Sequence, residues 1–157
     1  MKKREVIGQD ASGSTILNKA VQQMLNQYPG LDGRNISFEQ LGRDSGIAFS
    51  ADSGALIISE RKDITGHVKQ TCSFPFFIVY RTASSRDVQK LHVAEFLDGI
   101  GKWVCGETGP LTYPDLGQGR TIKRITRSNY YGTAPEENGV QDWILPVTVQ
   151  YQNEFDL

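Results

Sequence analysis

The first quarter of the chain carries apolar residues at helical spacing. A serine of Ser12-Gly13-Ser14 can cap the free N–H groups at the start of a helix. Pro29 and Gly30 can end it, because proline disfavours helical geometry in the preceding residue and glycine accepts unusual dihedral angles. The pattern predicts an amphipathic helix packed on a sheet, with an apolar face of Ile16, Leu17, Ala20, Val21, Met24, Leu25 and Tyr28.

Short apolar runs separated by turn residues follow this helix. They predict strands at about Ile36 to Leu41, Gly46 to Ala51 and Ala55 to Arg61. Between the last two lies Asp52-Ser53-Gly54, a sequence typical of a tight turn. We therefore expect these two strands to form a hairpin.

A longer strand is predicted from about Val68 to Thr82. Pro75 lies within it and cannot donate a ladder hydrogen bond, so we expect an edge, a bulge or a bend there. Alternation separates an apolar side from a polar side. The apolar side holds Val68, Cys72, Phe74, Phe76, Ile78 and Tyr80, and the polar side holds Lys69, Thr71, Ser73 and Arg81.

A second helix is predicted after this strand. Ser84 or Ser85 can cap it, and Asp87 places negative charge near its positive end. Gly99 and Gly101 weaken a helix by roughly 1 kcal/mol each relative to alanine, which indicates either close packing there or an early end. The expected core face consists of Val93, Phe96, Leu97, Ile100, Trp103 and Val104.

The C-terminal third predicts a loop and then two strands. Residues from Glu107 to Gln118 have loop composition, with Leu111, Tyr113 and Leu116 as anchors. Strands are expected at about Arg120 to Tyr131 and Val140 to Asn153, as a hairpin with a projecting tip at residues 132–139. In the second strand the apolar face is Trp143, Leu145, Val147, Val149 and Tyr151, and this face should meet a helix.

Length and composition favour one globular domain over residues 1–157, with a flexible N-terminal arm at about residues 1–12. The 157 residues contain 17 Lys and Arg against 18 Asp and Glu, a net charge of -1 that supplies no broad attraction for nucleic acid or anionic membranes. No apolar stretch is long enough to span a bilayer, and the basic start lacks the apolar segment of a secretory signal. We expect a protein of the cytoplasm that does not insert into membranes.

Residues with catalytic chemistry are scattered rather than grouped. Cys72 and Cys105 lack the spacing of a zinc site and are expected to be reduced, structural thiols. His67 and His92 are expected at the surface, and the segment 42–46 is expected to be a turn, not a nucleophile elbow. The sequence predicts no catalytic residues, no metal and no cofactor.

The densest basic cluster is Lys123, Arg124 and Arg127, with Tyr130 and Tyr131 beyond it. Charge and stacking of this kind can bind single-stranded nucleic acid. The balanced net charge favours instead a solvated or subunit-facing strand. Glu136 and Glu137 lie in the predicted hairpin tip and are interpreted as a charged loop.

Five stretches together resemble a known family of structural proteins. They are Tyr80 to Ser85, "LHVAEFLDGIGKW" from Leu91, Tyr113 to Leu116, "TIKRITRSNYYG" from Thr121, and "ENGVQDWILPVTVQYQNEF" from Glu137. In this order they resemble the small minor capsid or tail terminator proteins of tailed phages and prophages of Gram-positive bacteria. The resemblance covers roughly residues 14 to 155.

The resemblance implies an α+β domain whose mostly antiparallel sheet is covered by helices. It also implies a ring, typically of six copies, that ends polymerisation of the tail tube and offers a docking surface to the head connector or neck protein. The implied partners are further copies of the chain, the tail tube protein and the connector, first in the host cytoplasm and then in the virion. Expected subunit or docking contacts are Leu111, Tyr113, Asp115, Lys123, Arg124, Arg127, Glu136 and Glu137.

Other functions stay open at this point. The chain resembles a terminator, but a different neck or tail-completion protein shares the same plan. A small enzyme or ligand-binding domain would need a pocket that holds His67 or His92 beside Asp or Glu. A nucleic-acid-binding module would centre on Lys123, Arg124 and Arg127 and would bind in a salt-sensitive way.

Overall fold

Two α-helices and seven strands make up the described part of the chain. A computed structural model describes residues 14–43, 45–52, 54–83, 87–109, 111–117 and 119–157. The helices are α1 (Ser14–Leu25) and α2 (Asp87–Val104), with a short 3-10 helix at Pro29–Leu31. The strands are β1 (Ile36–Phe38), β2 (Gly46–Ala51), β3 (Leu56–Lys62), β4 (His67–Thr82), β5 (Arg120–Arg127), β6 (Tyr131–Gly132) and β7 (Gln141–Asp156).

All seven strands belong to one sheet of order β1-β2-β4-β7-β5. β3 also pairs with β4, and β6 also pairs with β7. The β1 and β2 pair is parallel and the other pairs are antiparallel. The predicted fold class, an α+β single domain with a mostly antiparallel sheet, is therefore confirmed.

The core lies between both helices and one face of the sheet. Alternate residues of β4 and β7 are buried, as period-two alternation predicts. The predicted apolar sides of both strands and the predicted helix faces mostly point into the core. The exceptions are Ile16, which is 40% exposed, and Tyr28, Tyr80, Trp103 and Trp143, which are half-buried. The largest fully buried side chains are Tyr151, Phe49, Phe74, Phe76, Leu17, Met24, Leu25, Ile36, Ile78, Leu97, Ile100 and Leu116.

The predicted hairpin of β2 and β3 is wrong. Both strands pair with β4 instead, β2 opposite residues 76–81 and β3 opposite residues 68–73. β4 is 16 residues long, so one of its edges accommodates both shorter strands end to end. The chain reverses instead between β3 and β4, where the N–H groups of Thr65 and His67 donate to Oδ1 of Asp63.

Pro75 lies in the interior of the sheet and not at an edge. Its neighbour on one side is Thr148 of β7, and on the other side the chain leaves the ladder between β2 and β3. The N–H of Asp52 donates to the carbonyl of Pro75 at 3.1 Å, which is the last rung before this break. The missing N–H of proline therefore coincides with the interruption of the adjacent strand.

Several predicted boundaries shift. β1 ends at Phe38 because Glu39 adopts a positive φ of 54°, and β5 ends at Arg127, with β6 following as a separate short strand.

α2 continues through both glycines, so their role is close packing: a Cβ on Gly101 would lie 2.8 Å from Cδ of Arg127. The N-terminal arm, Ser12, Ser84 and Ser85 lie outside the described residues.

Candidate interaction surface

The loop after α2 is anchored by leucines and presents polar tips. Leu116 is buried and Leu111 packs on the core half-buried, whereas Tyr113 and Asp115 are exposed. Oδ1 of Asp115 accepts a hydrogen bond from the N–H of Gly117 at 2.7 Å, which fixes the turn. Beside the loop runs an open groove of about 300 Å³ lined by Gln23, Met24, Gln27, Thr112, Tyr113, Pro114 and Asp115.

The predicted basic cluster is divided by the structure. Lys123 and Arg124 are exposed at a bulge in β5, and neither forms an ion pair with any described residue; we call them the basic pair. Arg127 is half-buried, and its Nη2 lies 3.3 Å from Oε2 of Glu107. Tyr130 packs on Trp143, with ring centroids 6.4 Å apart. Arg127 and Tyr130, which a site for single-stranded nucleic acid would use for charge and stacking, are thus already engaged within the chain.

The loop between β6 and β7 projects two carboxylates. Its backbone is fixed by hydrogen bonds from the N–H of Glu136 to the carbonyl of Val140 and from the N–H of Gly139 to the carbonyl of Glu136. The side chains of Glu136 and Glu137 are exposed, and neither forms an ion pair with a described residue. We call these two residues the acidic tip.

The acidic tip lies before the start of β7, whereas the basic pair lies beside its second half. Arg124 is paired with Gln150, whereas the acidic tip precedes Gln141. At about 3.3 Å per residue, the stretch from Gln141 to Gln150 is about 30 Å long. The structure therefore does not bring these predicted contact residues together within one chain.

Sequence reasoning missed an apolar patch on the sheet face opposite the helices, which we call the outer face. Phe77 is paired directly with Pro146, and Val79 with Ile144. All four side chains are half-buried, and none belongs to the core. We call them the outer apolar patch. Its sequence signal is present, because apolar residues occupy both alternation sides from Phe76 to Tyr80 and from Trp143 to Val147.

Sequence reasoning also missed that every residue of β3 is exposed. Its aliphatic side chains include Leu56, Ile57 and Ile58, the last 59% exposed, and Ile64 in the following turn is fully exposed. We call β3 with its turn, residues 56–66, the β3 arm. The segment "LIISERK" lacks an apolar alternation, which was the available indication that it has no buried face.

One cavity contains the residues that an enzyme or ligand-binding site would use. It measures about 380 Å³, is open to solvent, and is lined by Tyr28, Gly30, Asp32, Arg34, Tyr80, His92, Glu95 and Phe96. Three guanidinium nitrogens of Arg34 already donate to the carbonyls of Leu31 and Gly30 and to the hydroxyl of Tyr80. His67 is elsewhere, with its Nδ1 2.9 Å from Oδ1 of Asp156.

The cysteines are in environments that disfavour nucleophilic chemistry. Burial raises the pKa of the Cys72 and Cys105 thiols, which favours the protonated form. Within the described ranges, no three His, Cys, Asp or Glu side chains come together in a way that could hold a metal ion. Neither described helix is long and apolar enough to cross a membrane.

Comparison with solved structures gives a similarity of fold. No protein-family model matches the chain, and no curated protein matches it. Among solved structures, a chain from the virion of a native gene transfer agent particle is similar with a TM-score of 0.56 and 14% sequence identity. The similarity covers 89% of this chain and 97% of that chain. At this identity it shows that the two chains share a fold over nearly their whole lengths.

Proposed function

We propose that this chain is a structural protein of a tailed-phage particle. In this proposal a ring of copies, six in the resembling family, caps the tail tube, stops its polymerisation and forms the docking surface for the head connector or neck protein. The ring is assembled in the cytoplasm of the bacterial host and then lies at the tail and neck of the virion. One observation carries the proposal, namely that a virion chain shares this fold over nearly its full length.

The distribution of charge supports a ring built by head-to-tail contacts. A ring closes when one surface of each copy binds a different surface of the next copy. The basic pair and the acidic tip, about 30 Å apart along β7, have opposite charge and no ion-pair partner among the described residues. Charges that cannot satisfy each other within one chain are available to a neighbour or to the connector.

The loop with Leu111, Tyr113 and Asp115 is a third surface for docking in this proposal. The hydrogen bond from the N–H of Gly117 to Oδ1 of Asp115 and the buried side chain of Leu116 anchor this part of the loop to the core. Tyrosine at 36% exposure offers area for contact at low conformational cost. This loop lies next to α1, whereas the acidic tip lies at the start of β7, so the two can engage different partners.

The test is deletion of the gene from the phage or prophage that carries it, followed by negative-stain electron microscopy of the particles. Overlong or headless tails are expected, and a plasmid copy of the wild-type gene should restore normal particles. Joined particles with tails of normal length would reject termination and joining. Defects confined to another part of the neck would assign the chain to a different tail-completion role.

The predicted contacts are tested by returning altered genes to the deletion strain. Lys123→Ala with Arg124→Ala, and separately Glu136→Ala with Glu137→Ala, should each reduce the number of joined particles. Lys19→Ala is a matched control, because Lys19 is also exposed but lies on α1. Full function of both double variants would remove these residues from the interface.

A second function, binding of a small ligand, is favoured by the cavity that holds His92 and Glu95 on one wall. Replacement of both residues by alanine in the complementing gene tests it. Loss of particle formation with an unchanged melting temperature and intact subunit contacts would support this function. Normal particles would leave the structural role as the better account.

A further inference from the structure

The loop between β6 and β7 contains a reactive pair of residues beside the acidic tip. An asparagine side chain can react with the backbone nitrogen of the next residue, and glycine, which has no Cβ, hinders this approach least. Only Asn138 is followed by glycine, Gly139, among the six asparagines of the sequence, which are Asn18, Asn26, Asn35, Asn129, Asn138 and Asn153. Residue type alone therefore makes Asn138 the most reactive asparagine of the chain.

The reaction is loss of ammonia followed by uptake of water. The nitrogen of Gly139 attacks Cγ of Asn138, so that a new N–Cγ bond closes a succinimide ring and the bond from Cγ to the amide nitrogen breaks. The proton of the Gly139 nitrogen leaves with that amide nitrogen as ammonia. Water then opens the ring at one of its two carbonyls and leaves either aspartate or isoaspartate. Solvent water is the co-reactant, and no electrons are transferred.

The conformation of the Asn138 side chain favours closure of this ring. Its Oδ1 accepts a hydrogen bond from the N–H of Val140 at 3.1 Å, so the side chain curls over the Gly139 backbone, which lies between the two bonded groups. Holding reacting groups close together promotes a reaction between them. The N–H of Val140 also stabilises the negative charge that develops on Oδ1 when Cγ is attacked.

One contact in the loop opposes the reaction. The N–H of Gly139 donates to the carbonyl of Glu136 at 2.9 Å, and this hydrogen bond must open before the nitrogen can attack. The bond lies in a turn whose residues from Ala134 to Asn138 are all exposed. Exposed hydrogen bonds at loop tips open at low cost in free energy, and water reaches them freely. The turn therefore slows the reaction without preventing it.

Two other asparagines of the C-terminal segment lack this combination of features. Asn129 is exposed, but the next residue is Tyr130, whose side chain hinders attack by its own nitrogen. Asn153 is fully buried in β7, where its Nδ2 donates to Oε1 of Gln70 at 3.1 Å. These two residues separate the effect of exposure from the effect of the following glycine.

We infer that Asn138 is a site of spontaneous deamidation, which changes the acidic tip from two neighbouring carboxylates to three. Aspartate at this position keeps an oxygen that can accept from the N–H of Val140, so the turn is retained. Isoaspartate places an extra methylene group in the main chain, which displaces the N–H of Gly139 from the carbonyl of Glu136. The inference goes beyond the proposed function and does not depend on it, because the reaction requires only the loop and water.

Peptide mapping of the purified full chain after incubation at neutral pH tests the site. Cleavage after Arg127 releases residues 128–157 as one peptide, because no Lys or Arg follows, and Asn129, Asn138 and Asn153 are then compared within it. We expect fragment-ion mass spectrometry to show conversion at least about tenfold faster at Asn138 than at the other two. A sample digested without incubation gives the baseline. Equal rates at the three positions, or earlier conversion at Asn129, would overturn the inference.

A pair of matched variants tests the succinimide route. Asn138→Gln keeps the amide and the net charge but requires a larger ring, so the acidic species that anion-exchange chromatography resolves during incubation should no longer accumulate. Asn129→Gln should leave their formation unchanged. Isoaspartate, detected by enzymatic methylation, should appear in the natural chain, because direct hydrolysis of the side-chain amide gives aspartate alone. Acidic species that persist in Asn138→Gln, or a product without isoaspartate, would exclude this route.

A synthetic peptide of residues 133–143 measures the reaction without the folded turn. The folded chain should convert more slowly than the peptide by no more than about tenfold, because the exposed turn opens at low cost. A folded chain that stays unconverted while the peptide reacts would show that the bond from Gly139 to Glu136 locks the tip, and the inference would be wrong.

Discussion

The hydroxyl of Tyr28 lies in the space that a side chain on Gly99 would require. A Cβ built on Gly99 would overlap the Tyr28 oxygen, while the nearest ring carbon would remain 3.6 Å away. The Tyr28 ring is held between two aromatic neighbours, with centroids 5.8 Å from Phe96 and 5.3 Å from Trp103. A single oxygen atom therefore decides whether α2 tolerates a methyl group at this position.

This geometry predicts a change of sign for Gly99→Ala. In the natural chain we expect a loss of about 1 to 3 kcal/mol in the free energy of unfolding, because overpacking outweighs the better helix propensity of alanine. In a Tyr28→Phe background the overlap is gone, and the same change should be neutral or stabilising by up to about 1 kcal/mol. Urea denaturation of the four chains measures both effects. Equal losses in both backgrounds would contradict the prediction.

The pair of Arg81 and Asp142 predicts that lysine cannot replace this arginine. Two hydrogen bonds join them, Nε to Oδ1 at 2.7 Å and Nη2 to Oδ2 at 3.0 Å, on half-buried side chains. Arg81→Lys loses the two-pronged geometry, and we expect unfolding to become easier by about 1 kcal/mol. Arg43→Lys, at an exposed arginine nearby, should change little. Equal effects of the two substitutions would show that the pairing geometry contributes nothing.

The buried amides of Gln70 and Asn153 predict sensitivity to an isosteric apolar change. Nδ2 of Asn153 donates to Oε1 of Gln70 at 3.1 Å, and both residues are fully buried. Gln70→Leu removes this acceptor and the donor to Glu60, at an expected cost of about 1 to 3 kcal/mol in unfolding free energy. Gln152→Leu, half-buried on the outer face, is the control. A smaller effect at position 70 than at 152 would contradict the prediction.

His67 and Asp156 predict a pH dependence with a definite sign. The hydrogen bond to Asp156 raises the pKa of His67 above its usual 6.5, and the charges of Glu154 and Asp63 act in the same direction. A raised pKa in the folded state stabilises the fold fully below about pH 6.5 and loses this effect as pH rises through the folded-state pKa.

An NMR titration of the two histidines measures this effect. Asp156→Asn should move the His67 midpoint down, while the His92 signals provide a reference in the same spectra. An unmoved His67 midpoint in the variant would exclude the hydrogen bond as the cause.

Alternation along the chain predicted the sheet more reliably than turn residues predicted its connections. The core faces of β4, β7 and α2 follow from apolar spacing alone, because burial on one side imposes that spacing. The turn at Asp52 to Gly54 indicated only that the chain leaves a strand. The pairing of β2 and β3 depended on the length of β4, which the residues of a turn do not encode.

The candidate interaction surface was predicted only in part. Exposure of Lys123, Arg124 and the acidic tip follows from their charge and their place in an edge strand and a loop. The ion pair of Arg127 with Glu107 could not be predicted in this way. Arg127 is in a strand, and Glu107 lies just after a helix that is separated from this strand by a whole loop. The β3 arm was missed because exposed isoleucines look like core residues until the sheet shows no layer above them.

The pairing between β4 and β7 is uninterrupted along the full length of both strands. Each strand has 16 residues, and the pairing runs from His67 opposite Asp156 to Thr82 opposite Gln141, about 50 Å at about 3.3 Å per residue. The β3 arm lies at one end of this pair of strands, and the loop that carries Glu136 lies at the other end. The length of this ladder therefore sets the distance between anything bound at its two ends.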